Sequence, residues 1–157
     1  AKGKRNSTFT EYYQDGVTPR KETPMQQGKI DGTVKTYFRN GKIEAEKEYK
    51  QSVESGRERR FDSKTGEQIF ESHYIDGKKD GEEWEIFEDA STLRSRIIRH
   101  YRNGKLDGSY RVESTRDGKP YITIEGQYTD GEKSGQWIEH NYDNNTQTCT
   151  WHGEGGA

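Results

Sequence analysis

Cysteine occurs once, at Cys149, so the chain can close no disulfide within itself. Proline occurs three times, and no apolar run approaches the roughly 18 residues that a membrane-spanning helix requires. Apolar residues make up only 25% of the chain, and Leu, Ile, Val and Phe together fall below the one-fifth level that often marks disorder. Disorder also expects a large net charge and few aromatics. Here the net charge is -2 and aromatics reach 11%, so the composition fits an ordered but thin structure with little interior. The balance of acidic and basic residues gives no footprint for nucleic acid, and the basic start at residues 1–5 reads as a solvated tail.

What the chain has in quantity is glycine, 18 residues in all, placed at regular intervals. Tyr74, Tyr101 and Tyr128 lie 27 residues apart, Tyr49 lies 25 before Tyr74, and Met25 lies 24 before Tyr49. Self-similarity at a period of 20 to 50 residues marks a repeat architecture. Three residues after Met25, Tyr74, Tyr101 and Tyr128 comes a box with two glycines four apart: Gly28/Gly32, Gly77/Gly81, Gly104/Gly108 and Gly131/Gly135. A second turn signal follows at Asn40-Gly41, Thr65-Gly66 and Asp117-Gly118, and without glycine at Asp89-Ala90-Ser91 and Asp143-Asn144-Asn145. Asp-Gly and Asn-Gly suit tight hairpins because both residues tolerate positive φ.

The segments between turns alternate as half-buried strands do. Ile122, Ile124, Gly126 and Tyr128 share one parity, as do Leu93, Ile97 and Tyr101, and Ile43, Ala45 and Tyr49. Pro19, Pro24 and Pro120 fall near turns or toward the N-terminal edge, and no segment shows a helical pattern. The expected fold is all-β, an elongated single-layer antiparallel sheet of consecutive β-hairpin repeats. About five two-strand units give ten to eleven strands spanning roughly 50 Å. Residues 7–153 would form one repeat domain, with tails at 1–6 and 154–157.

These boxes resemble the MORN repeat, whose units are consecutive hairpins that open with an aromatic, continue through a G-x-x-x-G box and close on another aromatic. Tyr74, Gly77, Gly81 and Trp84 resemble one copy; Tyr101, Gly104, Gly108 and Tyr110 a second; Tyr128, Gly131, Gly135 and Trp137 a third. The copy at Met25–Val34 lacks the aromatics, and the copy from Tyr49 to Gly56 lacks the first glycine. The long spacing is closer to the divergent form found in bacterial antitoxin and immunity modules. The resemblance implies a scaffold that binds protein. The compartment stays open between the bacterial cytoplasm and, if a leader was cleaved before Ala1, the periplasm or cell envelope.

No Ser-His-Asp order, P-loop or dinucleotide fingerprint is present, so no enzyme and no cofactor is expected. His73 and His100 occupy equivalent repeat positions about 9.6 Å apart, too far to share a metal easily; Cys149 and His152 fall on opposite faces of a strand. No metal is expected. The candidate binding surface is an aromatic stripe of Tyr49, Tyr74, Trp84, Tyr101, Tyr110, Tyr128 and Trp137 along one face, which serves equally as repeat core. Glu82, Glu83, Glu85, Glu88 and Asp89 should face Arg94, Arg96, Arg99 and Arg102 across a hairpin. Arg57, Arg59 and Arg60, beside Phe61, form a candidate basic patch for an acidic partner or lipid headgroups.

The leading expectation is therefore a non-catalytic module that binds and neutralises a toxin or other effector protein. A membrane- or phosphoinositide-associated scaffold comes second. A cell-wall or glycan-binding repeat comes last, since only Tyr12-Tyr13 and Tyr37-Phe38 are adjacent aromatics. The strands at 7–13 and 148–152 would be open edges, suited to homodimerisation or to addition of a partner strand.

Overall fold

The computed structural model describes residues 6–88 and 93–153. The expected tails, apart from Asn6, and the turn Asp89-Ala90-Ser91 lie outside the described residues. The chain divides into two compact units, Ala1–Lys78 and Lys79–Ala157. Both are built of antiparallel hairpins, with no helix among the described residues.

In the first unit, β1 (Asn6–Tyr12), β2 (Pro19–Gln26), β4 (Gly32–Tyr37), β5 (Ile43–Lys50), β6 (Val53–Phe61) and β7 (Gln68–Ile75) pair in that order; the two-residue β3 (Lys29–Ile30) pairs with β2. The two-residue β8 (Lys78–Lys79) falls at the boundary. In the second unit, β9 (Gly81–Glu88), β10 (Arg94–Arg102), β11 (Lys105–Arg116), β12 (Lys119–Thr129), β13 (Glu132–Asn141) and β14 (Thr146–His152) pair in sequence order. The all-β array of consecutive hairpins is what the periodicity and turn chemistry predict. The strand count is higher than the expected ten to eleven, because β1 and β2 form a hairpin ahead of the first box and two strands are only two residues long.

The two glycines of a box do different work. The first closes a two-residue hairpin with both φ positive, as in Asp76-Gly77 (48° and 79°) and Asn103-Gly104 (51° and 84°). This turn matches the right-handed twist of the flanking strands. In the copy without a first glycine, Gln51 and Ser52 adopt the same geometry at 51° and 68°. The second glycine keeps a positive φ, and at Gly32, Gly56 and Gly108 a side chain of the neighbouring strand crowds it: a Cβ on Gly108 would lie 3.2 Å from the His100 Cβ.

Consecutive boxes are locked to one another. The residue at the first-glycine position donates its backbone N–H to a carbonyl two residues beyond the same position of the preceding box. These bonds are Ser52 to Ile30 (2.7 Å) and Gly77 to Glu54 (2.9 Å) in the first unit. In the second they are Gly104 to Lys79 (2.8 Å) and Gly131 to Leu106 (2.7 Å). The Asp before the second glycine adds a further link. Asp31 Oδ2 accepts from the Gln51 amide at 3.1 Å, Asp80 Oδ2 from Asn103 at 3.0 Å, and Asp107 Oδ2 from Asp130 at 3.4 Å. The Asp-Gly ending of the box thus reaches the next box rather than its own turn.

Register decides which residues share a face, because directly opposed residues in antiparallel pairs point the same way. One row in the first unit runs Val34, Lys47, Glu58, Ser72 across four strands. In the second unit one row runs Glu83, Arg99, Tyr110, Gly126. These rows belong to the packed face of each unit. The buried apolar residues are few: Val34 and Phe70 in one unit, Ile98, Val112 and Trp137 in the other. Buried polar residues outnumber them by one: Thr23, Glu58 and Ser72, then Glu83, Ser95 and Ser114. The low apolar content is accommodated by a core that is half polar, with Ser95 and Ser114 hydrogen-bonded at 2.8 Å.

The links between boxes set an expected outcome for chemical denaturation. Asp80→Ala and Asp107→Ala should each cost about 1 kcal/mol, while Asp80→Asn, which keeps an acceptor, should cost less. Gly104→Ala should cost about 1–2 kcal/mol, because a Cβ at this φ is strained. Neutral Asp→Ala variants would show that the side-chain links carry no stability.

Candidate functional site

Each side chain two residues beyond a box's second glycine points into the packed face. These are Val34, Glu58, Glu83, Tyr110 and Trp137, and four of the five are buried. The parity follows from the pleat alone. It places Tyr49 and Tyr74 on the packed face of the first unit, and Tyr101, Tyr110, Tyr128 and Trp137 on that of the second. Trp84 stands three residues beyond its glycine and so lies on the opposite face, opposed by Ile98 and covered by the Arg96 guanidinium 4.6 Å from its ring. The expected stripe of seven therefore resolves into core residues plus one outlier.

Three of those rings form one cluster. Tyr110 lies 5.7 Å from Tyr128 and 5.3 Å from Trp137, and Tyr128 meets Trp137 edge-on at 5.2 Å. The indole occupies the space a side chain at Gly126 would need: a Cβ there would stand 2.3 Å from the ring. The Trp137 Nε1–H donates to the Gln127 carbonyl at 3.1 Å. Burial, with Tyr128 beside it, pushes the Tyr110 phenol up.

Two carboxylates occupy the same packed position one repeat apart. In the first unit Glu58 accepts from Arg60 Nε at 2.9 Å and from the Tyr74 hydroxyl at 3.0 Å, and pairs with Lys47 at 3.2 Å. Burial opposes its ionisation, but the Arg60, Lys47 and Tyr74 contacts outweigh burial and hold its carboxyl below the usual range. Burial also opposes the Lys47 ammonium, yet Glu54 at 2.5 Å and Glu58 raise its pKa. Tyr74, shielded from water and beside Glu58, is pushed up to about 12. In the second unit the fully buried Glu83 meets Arg99 at 2.6 Å and Lys79. Burial and Glu83 push the Tyr101 phenol up. These are ion-pair networks in which each of these charges has a partner of opposite sign.

The opposed charges of β9 and β10 pair only in part as expected. Arg99 bonds Glu83 and Glu85, the latter at 3.2 Å. Arg96 stacks on Trp84 and Arg102 reaches Asp107 at 3.3 Å; Asp89 lies outside the described residues. Arg57, Arg59 and Arg60 do not gather into one patch. Arg60 lies on the packed face, 4.2 Å over the Phe70 ring and paired with Glu58. Arg57 and Arg59 lie on the other face, and Arg59 is paired with Glu46 at 2.6 Å.

His73 faces Glu71 at 3.6 Å in the first unit, and His100 faces Glu82 at 3.6 Å in the second. Cys149 opposes Ile138 and His152 opposes Gly135, so the two point to opposite faces. Among the described residues no group of three His, Cys, Asp or Glu side chains could hold a metal ion.

The open surface lies on the outer face of the second unit. A row there runs Trp84, Ile98, Arg111, Glu125, Ile138, Cys149 across six strands. It crosses a shallow depression of about 490 Å³, whose rim carries His100, Arg111, Glu125, Gln127 and Gln136 over a floor with Ile98 and Ile138. His140 Nε2 steadies the Glu125 carboxylate at 3.1 Å, and Ser109 Oγ meets His100 Nδ1 at 3.1 Å. Sequence reasoning missed this face because its members are polar and spread over β9 to β14. The parity count from the second glycine separates them from the core. No model of a known protein family matches the chain, and no curated protein is similar to it.

The networks give a pH dependence with a definite sign. Tyr74 is raised from 10.0 to about 12 in the folded chain, so its contribution is full below pH 10 and is lost as pH rises through 12. Tyr37, raised to about 12 by burial and its 2.7 Å bond to Glu22, acts in the same direction. Glu58, lowered from 4.5, stabilises above that value and ceases to as pH falls below it. Denaturation midpoints should therefore fall toward both extremes, and Tyr74→Phe should flatten the alkaline limb. An unchanged alkaline limb in that variant would remove Tyr74 from the account.

Proposed function

We propose that this chain is a non-catalytic, protein-binding repeat module that neutralises a toxin or other effector by occupying it. The observation that carries the reading is the outer face of the second unit. There an open depression presents charged and amide side chains over two isoleucines, while the aromatic cluster is spent on the packed face. A shallow depression with a polar rim of this kind suits a loop or strand of another protein better than a small substrate, which usually sits in an enclosed and mostly apolar pocket. The ion-pair networks support a role without catalysis. The likeness of the Tyr74, Tyr101 and Tyr128 boxes to the MORN repeat supports a binding scaffold, and the divergent spacing supports the antitoxin or immunity branch.

The test is capture. The immobilised chain, exposed to lysate of its own source cell and washed at high salt, should retain one stoichiometric protein. Arg111→Glu combined with Gln136→Arg should lose that protein by tenfold or more while the melting temperature stays within a few degrees. The captured protein, produced alone in a host, should arrest growth, and this chain should restore it. Retention of lipid or glycan only, or of nothing, would overturn the reading.

A further inference from the structure

Two edge strands differ in how they are protected. Edge strands are normally blunted by charge, proline or a bulge, because their unpaired backbone groups template pairing with another chain. β1 follows that rule: it carries Glu11, paired with Arg20 at 3.4 Å, and its register with β2 shifts between Glu11 and Tyr12. β14 does not. Its register with β13 runs unbroken from Gly135↔His152 to Asn141↔Thr146, and among the described residues it pairs with β13 alone. Of the fourteen strands it is the one without Lys, Arg, Asp or Glu, in a chain that is 34% charged. Six of its seven residues are exposed, and Trp151 is 74% exposed.

We infer that β14 is a self-pairing edge, through which two copies of this chain join antiparallel about a two-fold axis at Cys149. Cys149 is the middle residue of Thr146–His152, so centring the axis there gives full overlap of the two strands. Thr146 then faces His152 of the second copy, Gln147 faces Trp151, and Thr148 faces Thr150. A two-fold axis sets like against like, and any charged residue near it would meet its own charge. The absence of charge from β14 is the condition such a pairing needs, and a charged partner strand would find nothing on it to complement. Three threonines suit the shared ladder. The Trp151 ring comes to lie over Gln147 and diagonal to Cys149 of the second copy, which covers the most exposed aromatic of this strand. The pairing does not depend on the toxin-binding reading, which concerns the outer face.

The register is testable because facing Cα atoms in an antiparallel pair stand about 4.5 or 5.5 Å apart, and both fall within the span a disulfide accepts. Sedimentation of Cys149→Ser over a range of concentrations should show a monomer–dimer equilibrium. Cys149→Lys, which sets lysine against lysine at the axis, should stay monomeric with an unchanged thermal melt. With copper–phenanthroline as oxidant, the two Cys149 thiols of a pair give up two protons and two electrons and form a covalent dimer. In the Cys149→Ser background, Gln147→Cys should not cross-link to itself, since its own copy lies roughly 13 Å away along the strand. Mixed with Trp151→Cys in the same background, it should. A Cys149→Ser chain that is monomeric at every concentration, or a Gln147→Cys chain that cross-links to itself as readily as Cys149 does, overturns the inference. Should Cys149→Lys fail to fold, the cross-linking register decides alone.

Discussion

Among the described residues, each box hairpin after the first is fastened to the box before it by an amide at the tip of its turn. A β-hairpin alone is marginal in water, and this chain has too few apolar side chains to hold twelve longer strands by burial. The N–H at the first-glycine position, directed into the preceding box, fixes the phase of successive hairpins at their ends. Once the tips are in phase, the strand registers follow, and so do the rows of side chains across them. The turn geometry serves this purpose because both φ values are positive, which turns the amide outward toward its neighbour. Ser52 shows that the backbone geometry is the requirement, with glycine the residue that meets it at least strain.

With phase fixed at the tips, the packed face can tolerate unusual occupants. Val34, Glu58, Glu83, Tyr110 and Trp137 all fill one repeat position, although they differ in size, polarity and charge. Where a carboxylate fills it, neighbouring strands supply a lysine or arginine and a tyrosine hydroxyl. Where an aromatic fills it, a glycine opens the space beside it, as Gly126 does for Trp137. Buried ion pairs of this type contribute less net stability than their Coulomb attraction suggests, because each charge loses its water. Their value lies in what happens when one partner is missing: a charge is left buried with nothing to meet it.

The hairpin array was legible in the sequence because glycine spacing and Asp-Gly dipeptides act locally, and local chemistry survives in a one-dimensional reading. The edge strands were legible for the same reason: alternation marks a strand whether or not anything pairs with it. The aromatic stripe was legible only up to parity. Trp84 and Tyr110 look equivalent when counted loosely from their boxes, yet one residue of difference sends them to opposite faces. The burial of Glu58 and Glu83 was not visible, since a lone Glu in a polar chain reads as solvent-facing, and Glu58 takes partners from other strands, Lys47 on one and Tyr74, 16 residues away, on another. The arginine cluster misled in the same way: Arg57, Arg59 and Arg60 are adjacent on paper and divided by the pleat in space.

The shared repeat position has a further consequence for the order of the repeats. An array of identical units could slip by one period without penalty, since every unit would find an equivalent neighbour. Here the occupants of that position act as an address. A carboxylate there is answered where a cation and a tyrosine flank it, as Lys47 and Tyr74 do for Glu58 and Arg99 and Tyr101 do for Glu83, and the indole of Trp137 fits the space that Gly126 leaves open. A hairpin shifted from a carboxylate unit to an aromatic one would bring a charge against an aromatic or a ring against a full strand. The variety of that one position therefore sets the valine, carboxylate and aromatic units apart and narrows the alignments open to a nearly periodic chain.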